Sequence, residues 1–313
     1  MKMAQGKVFV GIDVSKAVLD VEVWPAGERF QVANDREGRA DLVGRLRRRG
    51  ALAIGLEASG GYERDSLRAL LEAGLPARRV NPLRVRQFAL ACGVLAKNDK
   101  LDASMIARFV ATVPQRQIKP DPAAERLAEL VTARRQLRED LTRAQNQAEH
   151  AGPAIVQRLS KLRAARLRAD ILLLDKAIAQ AIADDPELAR KDALLRSVPG
   201  VGPVFAHTLL AQMPELGSLT NRQAAALLGV APYDHDSGQM KGQRHIWGGR
   251  RNVRDVAYMA AMVAGQHNPA LKAFRQRLLD AGKRPKVIIV AVMRKLITIL
   301  NAILRNNSPW DFA

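Results

Sequence analysis

The chain has 313 residues and a formal net charge of +19 at pH 7, from 50 Lys and Arg against 31 Asp and Glu. That length allows about two or three domains with their own cores, and the charge predicts a polyanionic partner, most often nucleic acid. A single cysteine, Cys92, excludes an internal disulfide framework and a cysteine-rich zinc site and fits a reducing cytoplasm. The longest apolar run, at 287–293, is too short to span a membrane and we find no signal peptide, so we expect no membrane partner.

The first third of the chain, residues 1–115, predicts an α/β domain. Strand patterns occur at 7–14, 17–24, 28–33, 51–57 and 77–80. Helical patterns occur at 36–48 and 62–73. Three hairpin-like strands followed by a helix and a further strand indicate a mixed sheet that is covered by helices.

The middle of the chain, residues 116–190, predicts a helical arm in which Gly152-Pro153 separate two helices. Apolar residues recur there at steps of three and four, as on one helix face: Leu127, Val131, Leu137, Leu141, Ala144 and Ala148, then Ile155, Leu159, Leu162, Ala169 and Leu173. Two such faces need a cover, which favours a coiled-coil arm that joins protomers. Charges at Leu127, Leu137 and Leu141 should then yield smaller species. The alternative is an ordinary helical hairpin that packs on its own domain.

The last third, residues 191–313, predicts a mainly helical domain, and its residues 193–313 carry a net charge of +10. Helical patterns occur at 221–229, 251–265, 269–280 and 286–305. Two more flank "PGVGP" at 199–203, which resembles the turn of a helix-hairpin-helix DNA-binding element. Gly200 and Gly202 would free backbone amides there for a phosphate, although a simple helix–helix turn is the alternative.

Two acids end apolar strands in the first domain. Asp13 and Glu57 each have a glycine two residues earlier on the same strand face, at Gly11 and Gly55. We interpret these glycines as leaving room beside each carboxylate for something other than protein. If the two strands are neighbours, the carboxylates are adjacent, and like charges in contact need a cation.

Two further acids occur in "KNDKLDASMIARFV". Asp99 and Asp102 are three residues apart, so on a helix they share a face. Helix capping is the alternative for Asp99, and a salt bridge to Lys100 or Arg108 is the alternative for Asp102. Four acids on strand ends and a helix start favour a Mg²⁺ site, because Mg²⁺ binds carboxylate oxygens. Two such ions can hold both sides of a phosphodiester during in-line attack.

These segments also carry a resemblance to a known family. "GIDVSK", "GLEASGGYE", "NPLRVRQFA" and "AKNDKLDA" resemble the catalytic segments of DEDD-type insertion-sequence transposases and Piv-like recombinases. The match continues in order through "RSVPGVGP", "AALLGVAP" and the segments at 236–261 and 284–303. The resemblance implies an N-terminal domain similar to RuvC, of RNase H-like fold, with a metal-binding tetrad formed by Asp13, Glu57, Asp99 and Asp102.

A glycine-rich loop around Ser237 is the second candidate site. A serine hydroxyl attacks a phosphate only when a base or a metal activates it. The residues of the loop alone therefore favour a turn serine, whose hydroxyl bonds to its own backbone. The resemblance implies instead that Ser237 is the nucleophile of a C-terminal transposase domain. His235 and His245 are candidate bases, although a loop histidine more often touches phosphate or solvent. Basic side chains that would hold a phosphate, or that simply form a solvated face, are Lys241, Arg244, Arg250, Arg251 and Arg254.

Aromatic residues make up only 4% of the chain, too few for a base-stacking platform, so we expect backbone contacts to dominate. The resemblance implies that sequence choice comes from a structured guide (bridge) RNA, made from the element's own end, which pairs with donor and target DNA. It further implies a homo-oligomer, in which dimers assemble to a tetramer and one protomer's tetrad works with another's serine. The implied cofactor is a pair of Mg²⁺ ions, for which Mn²⁺ can substitute.

The sequence thus predicts a bacterial, cytoplasmic, nucleoid-associated DNA recombinase that mobilises an insertion sequence. Other classes remain open. A Holliday-junction resolvase would use the same acids with water as the nucleophile, and an inactive nucleic-acid-binding protein would lose nothing when the acids are changed. A site-specific DNA invertase of the same family is a narrower alternative, with the same chemistry at different sites.

Overall fold

The structure is a computed structural model that describes residues 7–94, 99–113, 122–234, 236–238, 242 and 244–311; for residues 99–101 and 122 it describes the backbone alone. The chain divides into two compact units, residues 1–120 and 121–313. The predicted catalytic domain lies in the first unit, and most of the predicted arm and all of the C-terminal domain lie in the second. The division into three domains stays a prediction.

A five-stranded mixed sheet organises the first unit. Its strands are β1 (Val8–Val14), β2 (Val18–Trp24), β3 (Glu28–Ala33), β4 (Ala51–Glu57) and β5 (Ala77–Val80). Their order is β3-β2-β1-β4-β5, antiparallel from β3 to β1 and parallel from β1 to β5. The predicted mixed sheet is confirmed. The chain passes from β3 to β4, the parallel partner of β1, through a helix, which is the usual form of a crossover between parallel strands.

Helices cover both faces of this sheet. They are α1 (Arg36–Arg49), α2 (Arg64–Glu72), α3 (Pro82–Ala91) and α4 (Asp99–Thr112). Helices α1 and α2 contribute Leu42, Leu46 and Leu70 to a core on one face, and α3 and α4 contribute to a second core that contains Ile106 and Phe109. The strands therefore alternate between two apolar layers, which is why their patterns in the sequence are nearly continuous.

Glycines on β1 and β4 let α4 pack close to the backbone of the sheet. A Cβ atom on Gly11 would overlap the carbonyl oxygen of Ala103 and the amide nitrogen of Ala107, and one on Gly55 would stand 2.7 Å from Val110 Cγ1. The prediction that these glycines leave room for something other than protein is wrong, because helix α4 fills that space. The period of a strand tells which face a glycine occupies, but it does not tell which element packs there.

We expect Gly11→Ala to lower the free energy of unfolding of the first unit by roughly 3 kcal/mol or more, because the backbone of α4 must move to admit the methyl group. Thermal unfolding measures this effect. Gly44→Ala is the matched control, since Gly44 lies within α1 and a Cβ there would meet only Arg48 Nη1, at 3.7 Å. That control should be neutral or stabilising by about 0.5–1 kcal/mol. Equal melting temperatures for the two variants would contradict this packing.

Two long helices, α5 (Pro122–Glu149) and α6 (Ala154–Ala183), open the second unit and pack against each other as a hairpin, with the break at the predicted position. Leu141, Ala164 and Ile171 form a buried seam between them, and Arg134 pairs with Asp175 across the hairpin. The inner faces of the two helices therefore cover each other.

The predicted apolar pattern falls on two different faces of this hairpin. Leu127 and Leu141 of α5 are buried and Leu137 packs on the inner seam, so charges at these positions would disrupt the hairpin and cannot test association. The residues of α6 instead include an exposed set. Ile155, Leu159, Leu162 and Leu173 are 58–62% exposed.

Further helices form the main core of the second unit. They are α7 (Pro186–Arg196), α8 (Pro203–Gln212), α9 (Asn221–Leu228), α10 (Arg251–His267), α11 (Pro269–Asp280) and α12 (Pro285–Asn306). The predicted helices of the last third are confirmed, with ends within about two residues. Leu127 and Val131 of α5, with Ile178 and Ile182 of α6, join the base of the hairpin to this core.

Helix α12 is a central helix of this core. By length and composition alone it is long and apolar enough to cross a membrane, but a buried core helix passes the same test. Its Ile297 and Leu300 are fully buried. The buried Asn301 side chain accepts a hydrogen bond from the Gly217 amide (2.9 Å) and donates one to the Leu219 carbonyl oxygen (2.8 Å). These two bonds anchor the loop between α8 and α9 to α12.

Candidate active site

Two of the predicted carboxylates lie side by side at one end of the sheet. Gly11 pairs with Gly55 in the parallel register of β1 and β4, so Asp13 and Glu57, two residues further along each strand, start from neighbouring strands about 4.8 Å apart. Both residues are half-buried. The Asp13 carboxylate accepts a hydrogen bond from the Val14 amide (2.9 Å). The structure thus confirms that the two strands are neighbours.

Helix α4 supplies the other two predicted acids. Asp102 directly precedes Ala103, whose carbonyl oxygen lies against Gly11, so the helix backbone at Asp102 lies close to β1. Asp102 is half-buried. Asp99 is the first residue of α4, and its side chain lies outside the described residues.

The donor chemistry of these residues fits a hard divalent cation, because Mg²⁺ takes carboxylate oxygens. Asp13 and Glu57 are like charges on adjacent strands, an arrangement that a cation stabilises. Among the side chains that the structure describes, no group of three or more His, Cys, Asp and Glu converges as a formed metal site. The tetrad as a set of ligands therefore stays a prediction.

Asn34 ties together the loops that follow the two strand carboxylates. Its Nδ2 donates hydrogen bonds to the carbonyl oxygens of Ser15 (2.9 Å) and Tyr62 (3.2 Å). Those loops follow Asp13 and Glu57 along the chain, so Asn34 helps to fix the spacing of the two strand ends. No pattern in the sequence singles out Asn34, because an Asn just before a helix is typical of a cap or turn.

A buried glutamate shapes the loop after β4. The Glu63 carboxylate accepts hydrogen bonds from the amides of Ser59 (3.1 Å) and Gly61 (2.9 Å) and pairs with Arg79 (2.9 Å). Two backbone amides and a guanidinium compensate for the cost of burying this charge. The loop next to Glu57 is therefore held in one conformation by its own side chains.

Ser237 lies in the chain between two short exposed strands that pair with each other, and we call the described residues of 230–249 the serine ribbon. Its strands are β6 (Pro232–Tyr233) and β7 (His245–Ile246), paired antiparallel. Near its tip the Asp236 carboxylate accepts a hydrogen bond from the Gly242 amide (3.1 Å). Ser237 is exposed, and the next residue, Gly238, has φ +56° with open space around it. The Ser237 hydroxyl is thus accessible to a macromolecular substrate.

Two glycines, Gly229 and Gly249, bring the two ends of the ribbon into close contact. A Cβ atom on Gly249 would overlap the backbone of Gly229, and both residues have positive φ. Arg254 Nη1 donates to the carbonyl oxygens of Gly229 (3.3 Å) and Gly248 (2.7 Å). The two ends of the ribbon are therefore fixed to α9 and α10.

The predicted nucleic-acid-binding arginines differ in their surroundings. Arg250 binds the Glu215 carboxylate through two hydrogen bonds (2.7 and 2.8 Å) and also donates to the Gln212 carbonyl oxygen. Arg250 and Arg254 thus have partners within the protein, and these contacts account for an arginine at each position without DNA. Their predicted contact with DNA has no support from this geometry, and it stays untested.

Arg251 and Arg244 are more open. The Arg251 side chain is 84% exposed at the start of α10, and the exposed Arg244 pairs with Asp234 on the ribbon. Lys241 and His235 lie outside the described residues, and His245 is exposed on β7. Arg251 and Arg244 are therefore the predicted cations that a phosphate can reach most easily.

The two glycines of the predicted helix-hairpin-helix turn also differ. Gly200 has φ +97°, and a Cβ there would stand 2.5 Å from Ala264 Cα, so close packing against α10 explains this glycine. Gly202 is exposed at the start of α8 with open space around its Cα. The phosphate contact of Gly202 therefore stays a prediction, and Gly200 is explained by close packing against α10.

Two family models match this chain. Residues 10–151 match a model described as a transposase, the DEDD domain of IS110 elements, and residues 192–276 match the model described as the IS116/IS110/IS902 family of transposases. All four predicted tetrad residues fall in the first match, and Ser237 falls in the second.

Curated relatives agree with these matches. The pilin gene-inverting proteins of Moraxella bovis and Moraxella lacunata are each 29% identical over 97% of this chain and 98% of their own length. An insertion element IS900 protein of Mycobacterium paratuberculosis, described as an uncharacterized 42 kDa protein, is 28% identical over 52% of this chain and 43% of its own length. The likeness to the inverting proteins thus spans both units.

Proposed function

Because this chain belongs to the IS116/IS110/IS902 family of transposases, and is a DNA transposase or recombinase, we propose that it cuts and rejoins DNA with a metal-binding tetrad and a serine nucleophile. The tetrad is Asp13, Glu57, Asp99 and Asp102, and the nucleophile is Ser237. The observation that carries the proposal is the adjacency of Asp13 and Glu57, with Asp102 on the helix packed against their strands. The mixed sheet is compatible with an RNase H-like, RuvC-like domain.

The proposed chemistry conserves the energy of the broken bond. Mg²⁺, or Mn²⁺ in its place, would be held by the tetrad and would stabilise charge on the phosphate during in-line attack. The Ser237 hydroxyl gives its proton to water as its Oγ bonds to phosphorus. The bond from phosphorus to one sugar oxygen breaks, and that oxygen takes a proton from water and leaves as a hydroxyl. A hydroxyl of a second strand then displaces the serine and rejoins the DNA. Arg251 and Arg244 are placed to hold the phosphate by charge-assisted hydrogen bonds.

A structured guide RNA, encoded by the element itself, is part of this proposal. The resemblance of the catalytic segments supports it, and pairing of this RNA with donor and target DNA would supply the sequence choice. Sequencing the RNA that co-purifies with the expressed protein tests this component. The enzyme would act on DNA at the bacterial nucleoid, in the cytoplasm.

A site-specific DNA invertase is the second candidate function. Two relatives that match almost the whole chain are named pilin gene-inverting proteins, which favours this alternative. The chemistry would be the same, and the arrangement of the two DNA sites would differ. A plasmid with two inverted copies of the flanking DNA distinguishes the two functions, since an invertase flips the intervening segment and a transposase moves the element to a new site.

We also propose that protomers associate through the exposed face of α6. Ile155, Leu159, Leu162 and Leu173 lie at steps of four, three and eleven, the spacing of a coiled-coil seam, on a face that the hairpin does not cover. This face replaces Leu127, Leu137 and Leu141 as the one to test. The tetramer that the resemblance implies, with a tetrad from one protomer and a serine from another, needs such an interface.

We expect the double variant Leu159→Glu and Leu162→Glu to yield smaller species by light scattering, because two charges would be buried in the seam. The matched control is Leu172→Glu, since Leu172 is as exposed as its neighbour Leu173 but is out of step with the seam. Unchanged mass for the double variant, or an equal effect of the control, would contradict this interface.

A further inference from the structure

The serine ribbon carries an exposed aromatic face. Tyr233 pairs directly with His245 across β6 and β7, so their side chains share a face. Trp247 directly follows β7 and is two residues beyond His245, the spacing that brings a side chain to the same side of an extended backbone. Trp247 is 64% exposed, more than any other large apolar side chain that the structure describes, and Tyr233 is 44% exposed. We call Tyr233, His245 and Trp247 the aromatic face.

The composition of the whole chain conceals this cluster. The chain has only three Trp and three Tyr, and one of each lies on the serine ribbon. Much of the ring surface of both residues is exposed to water. Transferring that surface from water into a contact would be favourable in free energy. Packing against the described residues leaves these two rings partly uncovered, and a ligand that covers them would gain this free energy.

We propose that the aromatic face stacks on nucleobases of single-stranded DNA beside the phosphate that Ser237 attacks. The proposal rests on the proposed function, because it takes the strand at the ribbon to be the strand that is cut. Tyr233 is four residues from Ser237, at most about 13 Å along an extended strand. That span equals about four steps of a stacked DNA strand at 3.4 Å each. A base on this face therefore belongs to a nucleotide that flanks the phosphate.

The charge next to the face favours DNA over a protein partner. Arg251, which is 84% exposed and lies 3.8 Å from the exposed Asp255 carboxylate, begins α10 four residues after Trp247. Residues 193–313 carry a net charge of +10. A base that stacks on Trp247 leaves its phosphate free to meet Arg251. Single-strand binders use this combination of a stacked base and a nearby cation.

Strand exchange supplies the reason for such a contact. Bases near the cut must leave their old partners before they can pair with new ones, and unstacking costs a few kcal/mol. An aromatic face recovers part of that cost without reading the sequence, because every base has a π-face. This division of labour leaves sequence choice to base pairing and gives the ribbon a role in holding the opened strand near Ser237.

The test measures binding of a single-stranded oligo(dT) of about 16 nucleotides, the upper size of one single-strand site, in the absence of metal. We expect Trp247→Ala to weaken binding roughly 5-fold to 100-fold, the loss of one stacked base. Trp247→Phe should retain most of the affinity, since the ring remains. Wild-type tryptophan emission should be quenched by the oligonucleotide, and the Trp247→Phe variant, which keeps Trp24 and Trp310, should lose most of this quenching.

Leu279→Ala is the control, because it removes an exposed apolar side chain elsewhere in the same unit, and it should bind like wild type. Repeating the measurement in a Ser237→Ala background separates this proposal from the serine mechanism, since stacking needs no nucleophile. Unchanged affinity and quenching in Trp247→Ala would overturn the proposal. A smaller oligomer in Trp247→Ala with normal oligonucleotide binding would also overturn it and would make the aromatic face a protein interface.

Discussion

Replacing Asp13 by Asn is expected to lower the rate of DNA strand cleavage at least about 10³-fold while DNA binding changes little. The amide keeps the shape of the side chain but removes an anionic ligand, and loss of metal stabilisation of the phosphate amounts to several kcal/mol. Glu57→Gln, Asp99→Asn and Asp102→Asn should behave in the same way. A cleavage assay in Mg²⁺ measures the rate, and a gel-shift assay measures binding.

Asp20→Asn is the matched control for this prediction. Asp20 pairs directly with Asp13 across β1 and β2, so it lies on the same face of the sheet, and its carboxylate accepts a hydrogen bond from Gln31 (2.6 Å). It is outside the predicted tetrad, and its loss should leave cleavage close to the wild-type rate. Near-normal cleavage by Asp13→Asn, or an equal loss in Asp20→Asn, would contradict the tetrad.

Replacing Ser237 by Ala is expected to reduce recombination on the order of 10³-fold or more, the scale seen when a nucleophile is removed from other enzymes. Assembly with DNA should persist, because Ser237 is exposed and its hydroxyl is not needed for packing. Asp102→Asn should have the same effect, since an alcohol at neutral pH needs activation. A plasmid recombination assay measures the first quantity, and gel shift measures the second.

Ser218→Ala serves as the control for this change. Ser218 is an exposed serine of the same unit whose hydroxyl donates to the Glu215 carbonyl oxygen (2.7 Å). Its removal should leave recombination intact. Cleavage by Ser237→Ala at the wild-type rate, with free DNA ends, would mean that water is the nucleophile and would favour the resolvase class.

The elements of this fold could be predicted because their signals are local. Alternation of side chains marks the strands, as at Val8–Val14 and Ala51–Glu57, and Gly152-Pro153 mark the break between α5 and α6. The mixed character of the sheet followed from three hairpin-like strands, a helix and a further strand, whereas the order β3-β2-β1-β4-β5 is known from the structure. These features depend on neighbouring residues, so one sequence is enough to find them.

Tertiary partners could not be predicted in the same way. The sequence placed Gly11 and Gly55 on the face of the carboxylates, but helix α4, which fills the space beside them, comes almost fifty residues later than Gly55. The pattern on α5 was likewise real, but its residues face α6 and the core and not another protomer. A period identifies a buried face without identifying what covers it.

The candidate site shows the same division. Asp13 and Glu57 were predicted because acids inside apolar strand patterns are unusual, and Asp102 because it shares a helix face with Asp99. The segments of all three also resemble a family. Asn34, which joins two loops, had no such signal, because its partners are backbone carbonyl oxygens whose positions are set by the fold. Arg250 was predicted to contact DNA, which stays untested, and the sequence did not indicate its observed partner Glu215, 35 residues earlier in the chain.

The central claim, a covalent phosphoserine at Ser237, is tested most directly by mapping the bond between protein and DNA. Wild-type protein with its co-purified RNA, Mg²⁺ and labelled DNA is denatured, digested with protease and analysed by mass spectrometry. The account predicts a nucleotide mass on the peptide that contains Ser237, absent in Ser237→Ala and in Asp102→Asn. Cut DNA with no peptide attached, or a nucleotide mass on a different residue, would contradict it.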